Sequence, residues 1–192
     1  MPRVLLGIPH GGIVPGRMLS TVVGLVASAP CPVTLIEREG CLGPDNRGIL
    51  AALAVAHGFT HLWLVDGDTA PEPEALRKLL AHNKDIVGAS YNYRRDPPQS
   101  VVKVLTPAGE IRTPDPMPTT LFRAHAIGSG CQLITVEALR RIPRPWFALK
   151  WGDHGQLEQA DDLWFCNQAR SVGIETWCDP AIIAEHLGTK AY

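Results

Sequence analysis

Long apolar runs are missing from this chain. No stretch of its 192 residues approaches the ~18 consecutive apolar residues that a membrane-spanning helix needs. The opening Val4-Leu5-Leu6-Gly7-Ile8 is shorter than the core of a secretory leader, so neither a span nor a leader is expected. Cysteine is scarce and unpatterned. Cys31, Cys41, Cys131, Cys166 and Cys178 are odd in number, and no two share the C-x-x-C spacing of zinc or redox sites. The simplest reading is free thiols in a reducing cytoplasm, mostly filling the core. Internal repeats and low-complexity segments are absent as well. With 45% hydrophobic and 19% charged residues the chain can bury a core and is not disordered. Its length suits one domain with some elaboration.

Net charge is nearly absent too: 18 Lys and Arg against 19 Asp and Glu leave −1. The total hides an uneven distribution. Residues 1–93 carry 7 basic and 8 acidic side chains, residues 94–150 carry 9 and 4 (net +5), and residues 151–192 carry 2 and 7 (net −5). A basic middle and an acidic end keep charged ligands in play, where the sum alone would exclude them.

Apolar patterning predicts strands at Val4–Ile8, Pro32–Ile36, His61–Val65 and Asp85–Tyr93. Helices are expected over Ile13–Ala29, Asn46–His57 and Pro71–Asn83, with a loop at Gly40–Gly43. Strands alternating with helices imply an α/β fold with a largely parallel sheet. From Arg94 to Arg123 six prolines interrupt any long element. Beyond them the pattern predicts an edge strand at Val101–Leu105, strands at Leu133–Thr135 and Ile174–Cys178, and helices at Val136–Ile142 and Asp162–Val172.

The strand His61–Val65 runs straight into Asp66-Gly67-Asp68. In extended chain, residues i and i+2 point the same way, so both carboxylates can face one ion or ligand. Carboxylate oxygens suit hard cations such as Mg²⁺ or Mn²⁺, and the carboxyl edge of a parallel sheet is where open α/β folds bind ligands. Gly67 would let a phosphate approach the backbone. A plainer alternative is a helix start, with Thr69 as N-cap and Glu72 completing a capping box.

Leu62-Trp63-Leu64-Val65-Asp66-Gly67-Asp68, then Glu74 to Leu80, then Asp85 to Tyr91, together resemble the middle of GT-A type glycosyltransferases, nearest to small bacterial and phage enzymes of the family-2 kind. The likeness continues through Gly128-Ser129-Gly130-Cys131-Gln132, Asp161-Asp162-Leu163-Trp164 and Glu185-His186-Leu187, in the family order. It implies a single GT-A (Rossmann-like) domain over residues 1–192. The central sheet would be mostly parallel and flanked by helices, with a smaller antiparallel edge. Residues 1–93 would hold the nucleotide-sugar and 94–192 the acceptor and catalytic groups.

The resemblance implies a nucleoside-diphosphate sugar donor and Mn²⁺ or Mg²⁺. Asp66 and Asp68 would hold the metal and touch the donor, with Asp68 the better candidate for direct ligation and His186 completing the site. Asp162 would be the base, with Asp161 as the competing assignment. Pro9 would sit by the nucleotide base, Arg47 would reach the diphosphate, and Gly67 and Gly130 would let backbone approach the donor. Each has a plainer reading: a surface histidine, N-capping of the helix at Asp162, a helix-start arginine, a turn before Cys131. Trp146, Phe147, Trp151 and His154 precede the acidic pair and could stack on a sugar or cover the core. Glu37-Arg38-Glu39 departs from the usual family ending of the second strand.

A haloacid-dehalogenase-type phosphatase also places Asp-x-Asp after an apolar strand, though after the first strand and not the third. A non-catalytic sugar- or nucleotide-binding module is the non-enzyme alternative. Arg94, Arg95, Lys103, Arg112 and Arg123 could line a groove for a polyanionic acceptor such as modified DNA, or merely be solvated. The expected setting is cytoplasmic.

Overall fold

The computed structural model describes residues 1–188. The elements in chain order are β1 (Val4–His10), α1 (Arg17–Ala27), β2 (Val33–Glu39), α2 (Gly43–Ala56), β3 (His61–Val65), β4 (Thr69–Pro71), α3 (Ala75–Ala81), β5 (Ile86–Ser90), β6 (Val104–Leu105), β7 (Ile111–Arg112), β8 (Phe122–Ala124), β9 (Cys131–Thr135), α4 (Val136–Arg141), β10 (Lys150–Trp151), β11 (Leu157–Gln159), α5 (Asp161–Ser171) and β12 (Thr176–His186). Among the described residues no helix is long and apolar enough to cross a membrane.

An eight-stranded sheet in the order β2-β1-β3-β9-β5-β12-β4, with β8 also on β12, forms the middle layer. β2, β1, β3, β5 and β12 run one way; β9, β4 and β8 run against them. The central strands read as unbroken apolar runs because both faces are covered. Leu5, Leu62, Leu64, Ile86 and Ile134 point to one face, under α2, α4 and α5. Val4, Leu6, Trp63, Val65, Val87 and Leu133 point to the other, under α1 and α3. The period-2 alternation of strand side chains thus sorts one run into two cores.

Gly88 on β5 shows how tightly the centre is built. A Cβ there would lie 2.6 Å from the Cys131 carbonyl oxygen and 2.7 Å from Ile127 Cδ1. Only glycine fits where β5 and β9 approach this closely.

Several elements differ from the sequence expectation. Thr69–Pro71 is a strand, antiparallel to Ala184–His186, so Thr69 and Glu72 form no capping box. Glu72 Oε1 instead accepts from Ile183 N and Lys78 Nζ, at 2.9 and 2.8 Å. α3 accordingly starts at Ala75, not at Pro71. α1 starts two residues after Pro15, and α2 begins at Gly43 with Pro44 in its first turn, the position proline tolerates. The expected edge strand at Val101–Leu105 shrinks to Val104–Leu105, hairpinned to Ile111–Arg112.

β12 runs well beyond Cys178. Its register shifts between Asp179 and Ile183, around Pro180. Proline lacks the N–H for a ladder bond and is confined to edges and bulges. The bend carries the strand from β5 across to β4, which sets His186 opposite Thr69.

Candidate functional site

β1 and β3 are parallel neighbours, so His10 and Val65 end at the same edge of the sheet. Beyond them the chain turns sharply. Asp66 N–H donates to the Gly130 carbonyl at 3.1 Å, Gly67 N–H to the Pro9 carbonyl at 3.1 Å, and Thr69 N–H to the Asp66 carbonyl at 2.9 Å. A Cβ on Gly67 would meet His10 Cβ at 2.7 Å, so glycine lets the two strand ends close up. The result is a cleft of about 220 Å³ whose walls include Pro9, Asn46, Arg47, Asp66, Gly67 and Asp68. A larger hollow of about 560 Å³, walled in part by Leu79, Lys84, Thr135 and Trp177, lies by the opposite strand ends. Size does not decide between them; the carboxyl edge is where this sheet architecture receives ligands.

Arg47 is the hub of the cleft. Its Nη2 sits 2.7 Å from both Asp66 oxygens and its Nη1 2.5 Å from Asp161 Oδ2. The planar fork of guanidinium matches this geometry, where an ammonium could serve one carboxylate at a time. Burial by itself would depress the guanidinium pKa, but the charges of Asp66 and Asp161 outweigh it and raise it. Arg47 is therefore no surface residue at a helix start.

The acidic pair is split by this contact. Asp161 is tied to Arg47, while among the described residues Asp162 Oδ1 accepts only from Leu163 N–H, at 2.7 Å. Neither caps α5 from outside: the N-cap is Ala160, and both aspartates lie in the first turn. Burial, then the neighbouring charge of Asp161, pushes the Asp162 carboxyl above the ordinary aspartate range. A buried, unneutralised carboxylate with a raised pKa is suited to taking a proton.

Asp68 faces a different set. Arg94 Nη2 lies 2.7 Å from its Oδ2, and Arg94 Nη1 donates to the Leu187 carbonyl at 3.1 Å. His186 Nε2 stands 3.5 Å from the same Oδ2. Burial would raise the Asp68 carboxyl; His186 and Arg94 outweigh it and lower it. His186 Nδ1 is 2.9 Å from the Asn92 carbonyl oxygen. A carbonyl only accepts, so Nδ1 carries the hydrogen and Nε2 is turned to the carboxylate. A bare Nε2 lone pair facing a carboxylate calls for a proton or a cation between them. Hydrogen bonding to Asp68, against burial, raises the His186 pKa. An imidazole fixed through Nδ1 by a carbonyl, beside a carboxylate, fits a divalent metal completed by ligand oxygens and water. Asp66 fits less well as a ligand, because both its oxygens are on Arg47. Among the described residues, no cluster of three or more His, Cys, Asp or Glu side chains could hold an ion by itself.

Gly130 plays another part than expected. It does not line the cleft. Its N–H donates to Tyr91 Oη at 2.9 Å and its carbonyl accepts from Asp66 N–H. It anchors the turn that presents Asp66, and its amide is already used. Trp146 and Phe147 belong to the core: Trp146 Nε1 donates to the Leu139 carbonyl at 2.8 Å, and Phe147 stacks on Phe165 at 4.8 Å. Trp151 remains 58% exposed, on the β10–β11 hairpin with His154 near its tip. Sequence reasoning missed Tyr91, Asn92 and the Asp68 contact of Arg94. Tyr91 lies edge-on to His186 with ring centres 5.5 Å apart.

No family model and no curated protein matches the sequence. Among solved structures the chain is similar to A197 from STIV, with a TM-score of 0.65 and 18% identity, covering 97% of this chain and 86% of that one. It is also similar to GalNAc-T7, solved with UDP, GalNAc and Mn²⁺, with a TM-score of 0.66 and 12% identity; the match covers 98% of this chain and 44% of that one. Likeness at such identities is likeness of fold. With its mostly parallel sheet, its covering helices and its short antiparallel edge, the chain has a GT-A type fold.

Proposed function

We propose that the chain is a metal-dependent glycosyltransferase that moves a sugar from a nucleoside-diphosphate donor to an acceptor hydroxyl with inversion. The observation carrying this reading is convergence. Pro9, Arg47, Asp66, Gly67 and Asp68 share one cleft in a GT-A type fold, and Arg47 ties that cleft to the acidic pair containing Asp162. Residues 1–93 supply the donor cleft, and 94–192 bring Asp161, Asp162 and His186 to it.

Asp68 Oδ and His186 Nε2 would hold Mn²⁺ or Mg²⁺, whose chemistry is to neutralise the departing diphosphate. Arg47 holds Asp66 and Asp161 in place, which leaves Asp162 as the free base. Asp162 takes the acceptor proton as the acceptor oxygen bonds to the anomeric carbon and the bond to the diphosphate breaks. The diphosphate departs with the bonding electrons. A phosphatase reading would need Asp66 as a free nucleophile, but a guanidinium covers both its oxygens.

UDP-, GDP-, CDP- and TDP-sugars with Mn²⁺ would be screened by melting shift and slow donor hydrolysis, for wild type and Asp68→Ala. The expected result is a metal-dependent response to one donor class, lost in the variant. No response to any sugar nucleotide, or hydrolysis of simple phosphate esters instead, would sink the reading.

A further inference from the structure

The basic segment 94–150 does not present its cations evenly. Four of its nine are paired with carboxylates. Arg94 lies on Asp68 and Lys150 Nζ is 2.9 Å from Glu158. Arg123 Nη1 is 3.1 Å from Glu175 and Arg141 Nη1 4.0 Å from Asp85. Arg144 covers the Trp146 ring at 4.3 Å. A strip around Tyr93 is different. Arg95 Cζ lies 5.3 Å and Lys103 Nζ 5.6 Å from the centre of the Tyr93 ring. Lys103 Nζ also donates to Thr113 Oγ1 at 2.9 Å, and Arg112 precedes Thr113 on the wall of the adjoining hollow. Among the described residues, none of Arg95, Lys103 and Arg112 is paired with a carboxylate, although Asp96 and Asp115 are close in the chain.

Two cations gathered on one aromatic ring repel each other. Cation–π attraction at exposed sites, roughly 0.5–1 kcal/mol each, offsets this only in part. Burial and the charge of Arg95 both push the Lys103 ammonium down, while the charge of Asp162 pulls it up. Asp162 also acts on the Tyr93 hydroxyl. The fold sets this strip beside α5, which carries Asp162: Lys103 pairs with Ala126, and Val102 and Ile127 share one buried cluster with Phe165 and Cys166 of α5. The strip therefore combines positive charge not paired with carboxylates, a donor-rich surface and a place next to the helix of the candidate base.

We propose that Arg95 and Lys103, gathered on the Tyr93 ring, bind an anionic group, a phosphate or a carboxylate, on a small acceptor whose hydroxyl is presented to Asp162. This rests on the glycosyl-transfer reading above and names its acceptor class. Three unpaired cations match one such group. A nucleic-acid binder making about 6–10 phosphate contacts would need more free cations than this, since Arg94, Arg123, Arg141 and Lys150 are paired with the protein's own carboxylates.

The test is binding, independent of turnover. Methyl hexosides would be titrated in pairs, each with its 6-phosphate and its uronic acid counterpart, by calorimetry on wild type and on Arg95→Gln/Lys103→Gln. Wild type should favour the anionic member of at least one pair by about tenfold, and the double variant should lose that preference. Arg95→Lys/Lys103→Arg should retain it, which separates charge from a folding defect. The phosphate and carboxylate arms tell the two anions apart. Equal affinity within every pair, or a preference that survives in the glutamine variant, overturns the proposal. So does a decathymidylate that binds more tightly than any glycoside with a steep salt dependence, since that makes the acceptor a polyanion. UDP with Mn²⁺ would be titrated in parallel. If it fails to bind while the anion preference holds, the donor reading falls and the anion site stands.

Discussion

Removing Arg47 tests the centre of the site most directly. Its guanidinium makes three contacts, at 2.7, 2.7 and 2.5 Å, with two carboxylates. The side chains concerned are only 13% (Arg47), 21% (Asp66) and 13% (Asp161) exposed. Deleting one partner of a buried ion pair costs about 3–5 kcal/mol, mostly because the other charge is left buried and unpaired. The residual exposure of Asp66 places Arg47→Ala near the low end, at about 3 kcal/mol. For a chain of this length each kcal/mol moves Tm by roughly 2–4 °C, so a fall of roughly 6–12 °C is expected. Arg47→Lys should recover part of it, since a point charge can satisfy one carboxylate but not fork to two. The decisive comparison is Arg47→Ala combined with Asp66→Asn and Asp161→Asn. If stranded charge is the cause, neutralising the aspartates should restore a good part of the loss, a non-additive result. Thermal unfolding followed by circular dichroism reads all four proteins. A shift under about 2 °C for Arg47→Ala, or no recovery in the triple variant, would refute the reasoning.

Further outcomes follow from the same geometry. Asp162→Asn should cut transfer by about 10²–10⁴, the usual span for a general base, while donor binding persists; a loss of donor binding instead would reassign the residue. Because Asp162 must be ionised to act and its pKa is raised by burial and by Asp161, activity should fall as pH drops through a value above the ordinary ~3.9. Asp161→Asn should move that limb to lower pH, and a limb that stays put would separate the two aspartates. A carboxyl raised in the fold costs stability above its unfolded pKa, so Asp162→Asn should raise Tm at pH 7 even as it slows turnover, and a lower Tm would contradict the burial argument. His186→Ala should weaken Mn²⁺ binding, read by calorimetry, by at least about tenfold, as removal of a metal-site partner does. Gly88→Ala should unfold the chain or lower Tm steeply, because its Cβ would lie 2.6 Å from a backbone oxygen that cannot step aside.

The regular first half of the fold was legible because its causes are local. Continuous apolar runs, a proline at a helix start and glycines at helix ends are properties of a few adjacent residues. β1, β3 and β5 accordingly lie where the patterning puts them. Thr69–Pro71 was misread for the same reason. Its Thr-x-x-Glu pattern has the local chemistry of a capping box, but pairing with Ala184–His186, more than a hundred residues away, decides the backbone there. The reach of β12 past Pro180 was illegible too. Proline locally argues against a strand, and only the partner strands on either side of the bulge make the extension stable.

The site repeats this division in a sharper form. That Asp66 and Asp68 stand at the carboxyl edge of a strand follows from the run that precedes them. Their division of labour does not. Spacing i, i+2 makes the two carboxylates look equivalent, yet each meets a different arginine: Arg47 from the N-terminal part of α2 holds Asp66, and Arg94 from the loop after β5 holds Asp68. The adjacent pair Asp161 and Asp162 is separated the same way, since Arg47 neutralises one and leaves the other in its raised state. In both pairs the residue types name a carboxylate site, but a cation brought in by topology decides which carboxylate is spent and which is free. That choice lies in the folded neighbourhood of Arg47, and so the assignment between Asp161 and Asp162, open from the motif alone, turns on a helix more than a hundred residues upstream.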